Sequence, residues 1–203
     1  MEVYIDNQKT NFGRRSKDLG KILKAISKKL EKHEKVIQNI YINGNNIQNP
    51  VMWDIDIDMD RHNIMEVETK SYTDLVLDSL TISKEYIDTY FEVKMGFQQI
   101  IEENEKISEI DIEETDSFLN WFSDLLFFLV ENYAFAISAL QETMETFRQE
   151  LSILGELKEK KDYVAYVSTL DYCISDILEN FKTNIDYYYQ NILEDLEQKK
   201  VIF

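Results

Sequence analysis

The hydrophobic pattern of this chain changes period near Lys70, and that change sets what the chain can fold into. Before it, short segments with apolar residues at alternate positions surround a single amphipathic helix; after it, apolar residues recur at three- and four-residue spacing to the end. Met1, Val3 and Ile5 share one face of a first strand, Asp6-Asn7 suits a two-residue turn, and Thr10 and Phe12 return on the same side. Ser16 is placed to cap a helix over Lys17 to His33. Leu19, Ile22, Leu23, Ile26 and Leu30 form its apolar stripe and lysines fill the remaining arc. Val36 to Ile42 is rich in β-branched residues and stops at Asn43-Gly44, a pair suited to positive φ.

Beyond Pro50, the only proline, Trp53, Ile55, Ile57 and Met59 alternate with Asp54, Asp56, Asp58 and Asp60, and Met65 and Val67 alternate with Glu66 and Glu68. Matching the two apolar faces predicts a hairpin looped at Arg61-His62-Asn63, with Asp58 opposite Glu66 and Asp56 opposite Glu68. Residues 1–70 thus read as a mixed sheet covered on one side by the lysine-rich helix, which resembles the β-grasp arrangement. That is a likeness of fold and carries no function. Tyr4, Ile37 and Tyr41 fall on the uncovered face and are expected to meet the helical portion instead of water.

Residues 71–203 read as an elongated antiparallel bundle of three long helices, or four if a kink divides the second. Ser71 to Asp74 forms a capping box, and Val76, Leu80, Ile87, Tyr90, Phe97 and Ile101 give the first stripe. The second helix runs from Thr115 past Phe147, with Gly155 as its expected end. Asp162 can cap the last, whose apolar positions from Val167 to Leu196 have a mean separation of about 3.6 residues, the period of a straight α-helix. The fold class is therefore α+β.

Charge is strongly asymmetric. The net charge is -17, yet residues 1–50 hold ten Lys/Arg against five Asp/Glu, while the rest of the chain holds twelve against 34. An acidic whole repels polyanions, and the lysine helix has no interleaved aromatics for stacking bases, so nucleic acid is not an expected partner. The apolar run Phe118 to Leu140 contains Asn120, Asp124, Glu131 and Asn132. Each central acid costs about 2.5 to 3.5 kcal/mol on an insertion scale, so no membrane span is expected there. One cysteine, Cys173, excludes an internal disulfide, and with no apolar leader ahead of the lysines the expected compartment is the cytoplasm.

Few residues suggest chemistry. Asp54, Asp56, Asp58, Glu66 and Glu68 would share one face of the hairpin, where opposed like charges call for a cation, a basic partner or local lysines. They are candidate ligands for Ca²⁺ or Mg²⁺, although the spacing is not that of an EF-hand: Met59 stands where Gly is needed and Met65 where Glu is needed. His33 and His62, the only histidines, lie off the long helices, which removes a ferritin-like di-iron site. No phosphate loop or nucleophile elbow is present, and no resident cofactor is expected.

Interaction surface is the better signal. The second helix is apolar nearly all round from Trp121 to Leu140, and Tyr187, Tyr188 and Tyr189 span too much of a helical circumference for all to be buried. Trp121, Phe128, Tyr133, Tyr187 and Tyr189 are the candidate interface residues. The profile is similar to that of small acidic export chaperones. It predicts a non-enzymatic interaction protein, scaffold-like or chaperone-like, that binds another protein or itself as a homodimer. The alternative is a divalent-cation-dependent binding or hydrolytic protein using the carboxylate hairpin.

Overall fold

The computed structural model describes residues 2–10, 19–47, 63–103, 107–133 and 137–201. The chain divides into two compact units, residues 1–75 and 76–203.

In the first unit β1 (Glu2–Ile5) and β2 (Gln8–Thr10) form an antiparallel hairpin closed by Asp6 and Asn7 at φ +48° and +64°. Both turn residues occupy the left-handed region that two-residue hairpin turns require and that Asp and Asn tolerate. Helix α1 (Leu19–Glu31) buries Leu19, Ile22, Leu23, Ile26 and Leu30, the stripe its periodicity predicts. Strand β3 (Lys35–Ile42) then turns at Asn43-Gly44, φ +51° and +79°, into the short β4 (Asn45–Asn46). The last strand, β5 (Ile64–Ser71), enters the middle of the sheet, parallel to β1 and antiparallel to β3, giving the order β2-β1-β5-β3-β4. Val3, Ile40, Ile42, Met65 and Val67 complete the core with the α1 stripe. The strand order, the central parallel pair and helix α1 form a β-grasp-like unit.

Two sequence expectations fail here for physical reasons. Glu66 is flanked by Tyr4 of β1 and Tyr41 of β3, so both sides of β5 are taken at Met65, Glu66 and Val67 by strands other than the expected acidic one. Alternation tells which face of a strand is buried, but any strand with the same alternation can be its neighbour. Asp54, Asp56 and Asp58 themselves lie outside the described residues. Ile37 also changes face: Ile37 pairs with Thr69 and Asn39 with Glu68, leaving Gln38 as a bulge that turns Ile37 onto the core.

The second unit is a helical bundle. Helix α2 (Tyr72–Glu102) starts at Ser71, whose Oγ accepts from the Asp74 N–H at 3.0 Å and donates to its carboxylate at 2.6 Å. It is followed by α3 (Glu109–Tyr133) and α4 (Leu140–Glu159). The last helix begins at Asp162, whose carboxylate accepts from the Ala165 N–H at 3.1 Å, and comprises α5 (Tyr163–Thr169), a π turn over Leu170–Ile174 and α6 (Ser175–Val201).

Among the described residues the bundle therefore has four long rods. The expected second helix is two helices, α3 and α4, whose stripes read as continuous because both face one core. Gly155 does not end α4, which continues to Glu159 before Lys161 turns at φ +55°. Long-range pairs set the directions. Lys84 meets Asp186 at 2.8 Å and Lys94 meets Asp171 at 2.6 Å, so α2 and the last helix are antiparallel. Tyr86 packs on Trp121 and Tyr90 on Phe118, while Phe122 packs on Phe147 and Asp116 pairs with Lys158, which makes each successive neighbour antiparallel too. Phe122 is fully buried, edge-to-face with Phe147 at 5.1 Å and Phe181 at 4.8 Å. Among the described residues no helix is long and apolar enough to cross a membrane.

Candidate docking groove

Helix α2 carries a face offset from its most buried stripe. Tyr86, Tyr90, Val93, Phe97 and Ile100 follow one another at four- and three-residue steps and so line one side of the rod. On α3, Asp111, Thr115, Phe118 and Trp121 do the same. Because the two helices run antiparallel, Trp121 comes beside Tyr86 and Asp111 falls toward Ile100. Between them lies an open groove of about 490 Å³.

Rings make one end of this groove. Tyr86 meets Trp121 edge-on at 5.1 Å, and Phe118 lies 5.6 Å from Tyr90 and 6.1 Å from Trp121. Tyr86 is 46% and Val93 38% exposed, unusual for side chains of this size on a face already bordered by apolar groups. Gly96 adds room, since a Cβ built there meets nothing within 4 Å. Asp111 and Glu114 stand at the other end, and among the described residues no Lys or Arg lines the groove.

A hydrogen-bonded layer stiffens the floor. The π turn leaves the Leu170 carbonyl to accept from the Ser175 N–H and, at 2.8 Å, from the Ser175 hydroxyl; the Tyr90 hydroxyl donates to the same oxygen at 2.9 Å. Nearby, Tyr166 donates to Asp116 Oδ1 at 2.7 Å while Lys158 pairs with Oδ2. Burial pushes both phenols well above the ordinary tyrosine range, with Asp116 raising Tyr166 further. They stay protonated donors. Buried polar groups satisfied this fully favour one arrangement over its alternatives.

The groove is poor in reactive groups. Thr89 and Thr115 donate to the Glu85 and Asp111 carbonyls of their own helices at 3.0 and 2.8 Å, so neither hydroxyl is set beside a base. The Cys173 thiol is raised by burial and by Glu150, and it does not line the groove. What the site offers is apolar area, aromatic edges and two carboxylates, which is equipment for binding.

The sequence candidates scatter. Trp121 lines the groove. Phe128 and Tyr189 are half-buried against the bundle core, and Tyr133 is buried at 6% exposure. Tyr187 is 58% exposed on α6, in edge contact with Tyr188 and apart from the groove residues. Of the carboxylates, Glu66 and Glu68 share the sheet face opposite α1, where Glu68 accepts from Asn39 Nδ2 at 2.7 Å and Tyr41 hydroxyl at 3.4 Å. Among the described residues no group of three or more His, Cys, Asp or Glu side chains is placed to hold a metal ion. Sequence reading missed Tyr86, Val93 and Phe118 as site residues. The signal for Tyr86 and Val93 was an apolar band on α2 wider than one buried stripe needs.

Fold and groove together define an α+β protein with a β-grasp-like unit ahead of a four-helix bundle that keeps one apolar face open. Residues 1–71 match the model of a family described as TP0873 N-terminal domain, a likeness confined to the sheet portion. Neither a curated protein nor a solved structure matches the chain.

Proposed function

We propose that this chain is a non-enzymatic protein-interaction module, and that the α2–α3 groove is where it takes hold of another protein. The observation that carries the reading is a preformed, ring-lined groove whose Thr89, Thr115 and Tyr90 hydroxyls are all spent on backbone carbonyls. Leaving Tyr86 and Val93 in water forgoes on the order of 1.5–3 kcal/mol for each large side chain fully buried, which a partner's side chains would recover. The single cysteine agrees with work in a reducing cytoplasm.

The test is a photo-reactive amino acid placed at Val93 in the full chain and, as a control outside the groove, at Glu142 on α4. A discrete protein adduct at Val93 that is missing at Glu142 is expected in cells. No protein adduct at Val93, or the same adducts at both positions, overturns the reading.

A further inference from the structure

We infer that the groove takes one amphipathic helix of the partner, about four turns long, apolar on one face and carrying Lys or Arg at the end that meets Asp111 and Glu114. This rests on the docking reading above and specifies the chemistry of the occupant.

Length comes first. Tyr86 and Ile100 mark the two ends of the α2 wall, and at about 1.5 Å per residue they are about 21 Å apart. That matches four turns of a helix lying alongside.

Backbone chemistry decides the conformation. Both walls are regular α-helix, with their N–H and C=O groups spent within the helix except in the last turn of α2 and the first turn of α3, and the threonine hydroxyls are spent as well. An extended segment pressed between such walls would leave its own N–H and C=O groups facing rings, at roughly 1–3 kcal/mol for each unsatisfied group. A helical segment satisfies them internally. Docking as a further helix therefore costs least.

Charge sets the direction. Aromatic side chains close the Tyr86–Trp121 end, carboxylates stand at the Asp111–Glu114 end, and among the described residues no basic side chain lines the groove beside them. Acids in the opening turns of α3 suit its helix dipole in any case, but that role is met from any side of the rod. Asp111 and Glu114 sit three residues apart on the side that borders the groove. On a chain of net charge -17, an acidic or anionic occupant is repelled and a basic end is drawn in.

The probes are labelled peptides of about 18 residues sharing one leucine stripe. One ends in two lysines, one ends in two glutamates, and a third repeats the lysine peptide with a central proline. Binding to the full chain is read by fluorescence anisotropy at physiological salt. The lysine peptide is expected to bind at least about tenfold more tightly than either of the others. Asp111→Asn with Glu114→Gln should shrink the lysine-to-glutamate ratio to about twofold. Glu142→Gln with Glu145→Gln removes as much charge elsewhere and should leave the ratio intact. Gly96→Trp, which fills the groove, should abolish binding.

Equal binding of the lysine and glutamate peptides, a ratio indifferent to the Asp111 and Glu114 changes, a proline peptide that binds as well, or binding that survives Gly96→Trp each overturns the inference. So does failure of every peptide to bind. In any of these cases a Val93-specific protein adduct leaves the docking reading standing, whereas loss of that adduct removes the reading itself.

Discussion

Gly96 lies inside α2, where glycine is a poor helix former, and no neighbour requires it. Gly96→Ala should raise the stability of the bundle by about 0.5–1 kcal/mol, read as a higher urea midpoint at unchanged slope, because the Cβ enters open space and the unfolded chain loses freedom. A lower midpoint would mean that the groove is narrower than described. Asp6 gives a prediction in pH. Burial opposes its ionisation, but the Thr69 hydroxyl, Lys35 and the Thr69 N–H outweigh that and hold the carboxyl below its ordinary value near 3.8. A depressed folded-state value stabilises above the unfolded value and is lost as pH falls through the folded one. The urea midpoint of the wild type should therefore drop more between about pH 5 and about pH 3 than that of Asp6→Asn, which keeps a turn-compatible residue. Residue-scale features of this kind were legible where they are local: Asp6-Asn7, Asn43-Gly44, Ser71 and Asp162 each act within a few positions. Gln38 was not, because a bulge shows only against the partner strand.

Among the elements, the rod from Tyr163 to Val201 differs most from its sequence pattern. Its apolar positions average the α-helical period, yet a π turn interrupts it at Leu170–Ile174. One wide turn changes a long average little, while the three donors on the Leu170 carbonyl that hold it in place come from Ser175 and from another helix. Tyr166 belongs to the adjoining layer. Tyr166→Phe should cost about 1–2 kcal/mol in chemical denaturation, since Asp116 loses a buried donor but keeps Lys158. An unchanged midpoint would show that the hydroxyl is replaceable by water. The division of the expected second helix into α3 and α4 was foreseen only as an option, because a shared core keeps the two stripes in step.

For the whole molecule, the pattern change near Lys70 falls where β5 ends at Ser71 and α2 begins at Tyr72, since burial geometry writes the period directly into the sequence. Strand neighbours and helix neighbours were harder. Opposing Asp58 to Glu66 assumed that adjacent segments pair, whereas β5 lies between β1 and β3. The groove needed the register of α2 against α3, which Tyr86–Trp121 and Tyr90–Phe118 set through packing between residues about thirty positions apart. Trp121 could be singled out as an apolar residue on a crowded helix; its partnership with Tyr86 could not.

The central claim is that the open α2–α3 face exists to hold a partner. Comparing photo-crosslinking from Val93 in the wild-type chain and in Gly96→Trp tests it most directly, with the fold of both checked by their melting curves. A protein adduct that vanishes when the groove is filled, with the melting temperature retained, is the result this account requires. An adduct equally strong in both chains would contradict it.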